Sequence, residues 1–221
     1  MDYLEEIIHA VTEEFQEKDR RLIIGKSPLR TKILKEHREV TLSIKKRLED
    51  GFNISKTTVK PPKKQRNSKD IAGFKQITFS EIDFTEDHVL NGHILSVTSI
   101  ARPCTGFSSV HFVIEDKNNH IELLSIYNLG TDYAKIERDF EPGVKFDIVN
   151  PYVRLSADFK ARIRVDDTKS IRFKGKIEKM CRWCGTGQSK FHCGKCNKAY
   201  YCSKECQIYD WQSVSHKSIC Y

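Results

Sequence analysis

Seven of the chain's eight cysteines fall between residues 181 and 220. With one histidine they read Cys181-x2-Cys184-x8-Cys193-x2-Cys196-x5-Cys202-x3-Cys206-x9-His216-x3-Cys220. A C-x2-C knuckle turns tightly enough to set two sulfurs on one ion. C-x3-C and H-x3-C are helical spacings that put both ligands on one face. Eight soft or borderline donors suffice for two closed tetrahedral zinc sites. The rival chemistry is a disulfide framework. Seven is an odd number, and the N-terminus "MDYLEEIIHA" is acidic where a secretory leader is basic and then apolar. A disulfide framework also leaves His216 unexplained. The expected compartment is reducing, and the expected chemistry is two structural metals.

Closed ligand sets leave no position for a water nucleophile, so the metals should organise the fold rather than catalyse. Gly185, Gly187 and Gly194 are the residue type needed where backbone approaches a metal closely. His192 adjoins Cys193, and one ion held by adjacent residues is strained, so this histidine is expected to face solvent. Cys104 stands apart in an expected loop, as a buried or idle thiol with no positioned base.

The ligands must be carried by elements, and the hydrophobic period supplies them. Leu4, Ile7, Ile8, Val11 and Phe15 recur at helical spacing. Ser27-Pro28 reads as a cap and first-turn proline for a second helix to about Glu49, with an imperfect stripe of Leu29, Ile33, Leu34, Leu42, Ile44 and Leu48. Residues 55–73 form a basic linker containing "VKPPKKQR", a composition that also suits a nuclear-import signal. The period then changes to two, in segments 91–103, 108–117, 121–129, 144–156 and 161–173. "DKNNH" (116–120) is a hairpin turn and "TDYAKIERDF" (131–140) a short helix. Three strands, a helix and two strands is the order of an OB-like five-stranded β-barrel, expected over 74–178. The fold class is therefore α+β and multidomain: helices at 1–54, the linker, the barrel, and a small zinc-stabilised module at 179–221.

That last module, "CRWCG…KFHCGKCNKAYYCSKECQIYDWQSVSHKSIC", closely resembles the MYND zinc finger over residues 181–220. The resemblance implies interleaved ligation. Cys181, Cys184, Cys202 and Cys206 would hold one zinc, and Cys193, Cys196, His216 and Cys220 the other. It also implies a protein-interaction surface for proline-containing peptides, with Gln207 and Trp211 lining the groove. Trp211 and His216 are separated by four residues, where the family usually has two.

Three function classes follow. The first is a non-enzymatic adaptor that recruits a protein partner in a nuclear or cytoplasmic assembly, in transcriptional or chromatin regulation. The alternative is a single-stranded nucleic-acid binder that uses Tyr127, Arg154, Arg162 and Arg164 on the barrel. Residues 81–150 carry twelve acids against five bases, which weighs against it. The third class is a methyltransferase of the SET–MYND type. The chain outside the finger is too short for a SET domain, and no G-x-G-x-x-G, G-x-S-x-G, Walker lysine loop or H-E-x-x-H appears. Catalysis is not expected, and no apolar run is long enough to span a membrane.

Overall fold

The computed structural model describes residues 28–50, 70–105, 109–129, 135–136, 139–155, 160–211 and 216–220. The helix expected at Leu4–Phe15 and most of the basic segment 55–73 lie outside them. Among the described residues no helix is long and apolar enough to cross a membrane.

Helix α1 runs Pro28–Glu49, as the Ser27-Pro28 start predicts. The chain is otherwise mostly strand: β1 (Lys75–Ile77), β2 (His88–Val89), β3 (His93–Ser99), β4 (Cys104–Thr105), β5 (Ser109–Glu115), β6 (Ile121–Tyr127), β7 (Val144–Val149), β8 (Tyr152–Leu155), β9 (Ala161–Val165) and β10 (Ile171–Lys176). These form one sheet in the order β10-β7-β3-β5-β6-β9-β8-β2, with β1 added on β3 and β4 on β5. Cys104 thus lies in a short strand, not a loop, and is buried there.

The β5–β6 hairpin turns where "DKNNH" predicts. Asn119 takes φ of +63°, and the buried Asp116 carboxylate accepts from the backbone of Asn118 (2.9 Å), His120 (3.0 Å) and Phe79 (2.9 Å). Asparagine tolerates that left-handed conformation better than most residues. Lys135, Ile136 and Asp139 are helical, within the short helix expected at 131–140.

The closed barrel expected over 74–178 is not seen. The hydrogen-bonded path ends at β10 and β2 and does not return on itself. The reason lies in two expected strands that are each broken in two. Segment 144–156 divides at Asn150-Pro151, where Asn150 has φ of +50° and proline brings no N–H. Segment 161–173 divides at a 3-10 turn, Thr168–Ser170, capped by Asp167 accepting from the Lys169 N–H at 2.9 Å. Each half then finds its own partners. β7 pairs with β3 and β10, whereas β8 pairs with β9 and β2.

Both faces of the β5–β6 hairpin are apolar. Val110, Phe112, Ile114, Leu124 and Ile126 enter the main core with Phe140, Phe146, Ile148, Ile163 and Val165. Val113 and Ile121 point the other way and meet Leu34 of α1, Ile100, Ala101 and Met180. This is the period-two logic of a strand covered on both sides. Helix α1 supplies the cover.

The covering face of α1 carries polar residues as well as apolar ones. Arg30, Leu34 and His37 are buried, whereas Val40, three residues past His37, is exposed. The His37 Nε2 stands 2.8 Å from the Arg102 carbonyl oxygen, to which it donates. Burial pushes the imidazole down to about 4 from its ordinary 6.5, against the carbonyl's opposing pull. The unfolded chain therefore takes up a proton near pH 6.5 that docked α1 refuses until about pH 4. Docking is complete at neutral pH and loses on the order of 3 kcal/mol as pH falls through that window. Amide exchange over Leu34–Thr41, corrected for intrinsic rates, should accelerate between pH 7 and pH 5. The same acceleration in a His37→Gln chain would show that another group is responsible.

Candidate metal centres

The finger begins where the sheet's last strand ends. Cys181 forms an isolated bridge with Tyr200, and the following knuckle closes with Gly185 N–H donating to the Cys181 carbonyl at 2.8 Å. A small hairpin, β11 (Phe191–His192) with β12 (Tyr200–Tyr201), carries the second knuckle. There the Asn197 N–H donates to the Cys193 carbonyl at 2.9 Å, with Asn197 at φ of +57°. Helix α2 (Lys204–Tyr209) is capped by Ser203, whose Oγ accepts from the Cys206 N–H at 3.2 Å. Helix α3 (His216–Ile219) carries His216 and precedes Cys220.

These elements gather two quartets. The Cys181, Cys184, Cys202 and Cys206 donor atoms all lie within 4.8 Å of one another, and so do those of Cys193, Cys196, His216 and Cys220. The first quartet has Sγ–Sγ separations of 3.4 Å (Cys184–Cys202) and 3.5 Å (Cys202–Cys206). The second has 3.6 Å between Cys193 and Cys220, and 3.5 Å between Cys196 Sγ and His216 Nε2. Four sulfurs at about 2.3 Å from a common zinc stand about 3.8 Å apart, and a sulfur and an imidazole nitrogen about 3.6 Å. The spacing fits tetrahedral zinc. The two quartets are those the interleaved ligation implies.

The titration of the thiols points the same way. Hydrogen bonds from Cys181 and Cys206 drive the Cys184 thiol far down. Bonds with Cys181 and Cys184 drive Cys206 far up, and the bond with Cys184 raises Cys181 to about 12. A divalent cation removes the competition by binding all four as thiolates.

His192 is exposed and belongs to neither quartet. Cys104 is apart from both, its thiol pushed up by burial, which leaves it a poor nucleophile. Of the three glycines, Gly185 is the constrained one. It has φ of +72°, and a Cβ there would lie 2.9 Å from Arg30 Nη2 and 3.1 Å from Ile100 Cβ. A Cβ at Gly187 would make only an ordinary contact, and one at Gly194 would meet nothing within 4 Å. The requirement comes from α1 and the sheet pressing on the knuckle.

Gln207 and Trp211 are four residues apart at the end of α2. Gln207 is half-buried, and Trp211 is 37% exposed with its ring edge-on to His216 at 5.9 Å between centroids. The tryptophan both packs beside a ligand and presents a face outward.

The sheet also brings the four residues of the nucleic-acid alternative together. Arg162 stands opposite Arg154, and Arg164 opposite Tyr152 and Ser125, across β8–β9–β6. Two of these arginines are already engaged by acids. Arg164 pairs with Asp166 at 2.8 Å, and Arg154 pairs with Asp87. The Tyr127 face a base would stack on is covered by the Arg164 guanidinium at 4.2 Å. Nothing in this arrangement supports nucleic-acid binding.

Sequence reasoning missed the residues that join the finger to the rest of the chain. Trp183 stacks on Tyr209, with centroids 5.5 Å apart and planes at 20°. The Arg38 guanidinium lies 3.7 Å over the Trp183 ring. The buried Asp210 accepts from the Tyr201 hydroxyl at 2.8 Å and lies 3.1 Å from Arg182 Nε. The lone tryptophan inside the first knuckle was the available signal.

Comparison with known proteins places this geometry. Residues 181–220 match the family model described as MYND finger. A stretch of 51 residues is 33% identical to Tudor domain-containing protein 1 of Danio rerio, covering 23% of this chain and 4% of that protein. A stretch of 41 residues is 49% identical to Programmed cell death protein 2 of Bos taurus, covering 19% of this chain and 11% of that one. The matched stretches are thus small parts of both relatives. Among solved structures, one titled "Molecular basis for abrogation of activation of pro-inflammatory cytokines" covers 47% of this chain and 45% of its own, at 11% identity and a TM-score of 0.27. That value is too low to carry a fold argument.

Proposed function

We propose that the chain is a non-enzymatic adaptor. Its finger would hold two structural zinc ions and present Gln207 and Trp211 to a proline-containing segment of a protein partner. The family match at 181–220 supports a zinc-binding protein-interaction module. The observation that carries the finer reading is Trp211, a large hydrophobic side chain left exposed, anchored on a ligand histidine and four residues from Gln207. An aromatic plate suits an extended proline-rich peptide, which is preorganised and loses little entropy on docking.

Cys181, Cys184, Cys202 and Cys206 would hold one zinc, and Cys193, Cys196, His216 and Cys220 the other. Zinc supplies cross-linking there, and the full ligand sets leave no site for an activated water. The sheet would serve as an OB-like scaffold. In support, β3, β5 and β6 are sequential neighbours, β9 joins parallel to β6, and the consecutive β7 and β8 sit beside β3 and β9. A nuclear or cytoplasmic assembly fits the reduced thiols.

The test is Trp211→Ala in the full chain, probed with a fluorescent PxLxP-type peptide. Binding should fall at least about tenfold, within the range of a buried aromatic anchor, while metal content stays at two per chain. Unchanged peptide affinity with both metals present would sink the reading.

A further inference from the structure

Among the described residues, helix α1 touches the finger at the first metal quartet, and it does so through cations. Arg30 pairs with Glu115 on β5, and its Nη2 donates to the Cys184 carbonyl at 3.3 Å. Two turns further on, Arg38 covers Trp183 at 3.7 Å. Trp183 lies between the ligands Cys181 and Cys184, and its stacking partner Tyr209 lies three residues past Cys206. One guanidinium therefore caps the knuckle and the ligand helix together.

Arg38 Nη2 is fully covered and has no hydrogen-bond partner among the described residues. A buried, unpaired cationic donor is expensive unless a negative charge compensates it. The negative groups that act on it are Asp210, Cys184, Cys181 and Cys206. Asp210, the strongest of them, is also shared by Tyr201 and Arg182. The other three belong to the quartet itself. Four thiolates around a divalent ion leave a net charge of about −2, against about −1 for three thiolates and an imidazole. Beside the second quartet the exposed Lys195 donates to the Cys220 carbonyl at 2.9 Å.

We infer that Arg38 is the charge partner of the Cys181–Cys184–Cys202–Cys206 metal site, so that docking of α1 and loading of that site are coupled equilibria. This rests on the two-zinc reading above. By reciprocity, whatever the docked helix adds to metal affinity, the metal adds to helix docking. Loss of that one ion then weakens, by the same factor, the docking of α1 over the apolar surface of Ile100, Val113, Ile121 and Met180. The second ion is free of the linkage.

The experiment uses the full chain carrying zinc, titrated with a chromophoric chelator of known affinity. Wild type should release two ions per chain in separable steps; fewer than two ions bound at the start overturns the underlying zinc reading and this inference with it. Arg38→Met keeps the stem against Trp183 but removes the charge. It should weaken one ion about tenfold, near 1.4 kcal/mol, and leave the other within about twofold, a difference the same conversion makes small. Arg38→Lys should recover most of the loss, which a purely steric role for the arginine does not predict. In a Cys220→Ser background the ion that remains should be the one sensitive to Arg38. Equal weakening of both ions, or of neither, overturns the inference. The Cys220→Ser chain also supplies a test without substitution at Arg38: chelation there should accelerate amide exchange across 30–41, and unchanged exchange refutes the coupling.

Discussion

Chelation of the full chain should strip two metal ions and unfold residues 181–220, while the far-UV strand signal of β1–β10 persists. The finger's buried cluster shows why. It consists of Cys181, Cys193, Ala199, Tyr201, Cys206 and Cys220, so most of the fully covered side chains are themselves ligands. Ala199 and Tyr201 cannot supply the several kcal/mol a folded module requires. Structural zinc in comparable modules contributes on the order of 10–16 kcal/mol, which exceeds every other stabilising effect available to this segment. The readout is convenient, because both tryptophans, Trp183 and Trp211, lie in the finger. Their fluorescence reports the finger and, through Trp183, the Arg38 contact from α1. Cys206→Ser should reproduce the loss at the first site, since Cys206 is buried and sits on the helix that carries the quartet's geometry. Retention of native tryptophan fluorescence after complete metal removal would mean that protein packing, not metal, holds the finger.

The two metal centres were legible in the sequence because ligation is a local constraint. C-x2-C, C-x3-C and H-x3-C each encode a turn or a helical face, so the spacing gives four ligand pairs, and the family resemblance implies which pairs share a site. Helix α1 was legible for a similar reason, in a proline at the first turn. Its binding face was not. Hydrophobic periodicity finds leucines and isoleucines, and the stripe it drew missed Arg30, His37 and Arg38, which carry the polar contacts to Glu115, the Arg102 carbonyl and Trp183. A buried cation becomes visible only once its partner's position is known, and that partner lies far along the chain. The strand breaks at Asn150-Pro151 and Thr168–Ser170 were hidden differently. Each interrupts a run whose residue types stay strand-like on both sides, and which half pairs with which strand is decided by the sheet.

Phe112→Ala should cost the sheet about 3–5 kcal/mol, the range for a large aromatic removed from a rigid core, without changing the metal count. Phe112 is completely buried and stands opposite Leu124 in the β5–β6 register. Its ring lies 4.8 Å from that of Phe140, which in turn meets Phe146 edge-on at 5.5 Å and Phe173 at 5.2 Å. Truncation removes the end of this aromatic chain in the middle of hydrogen-bonded strands, where the backbone has little freedom to close the cavity. The main core contains no finger residue, and the contacts among Leu34, Ile100, Val113, Ile121 and Met180 belong to a separate cluster on the other face of the hairpin. In urea, the far-UV transition should therefore move to lower denaturant while the tryptophan transition stays with the metal. If both transitions shift together by the full amount, the sheet and the finger unfold as one cooperative unit. The arginines of α1 would then bind the two parts far more tightly than a single charge partner requires.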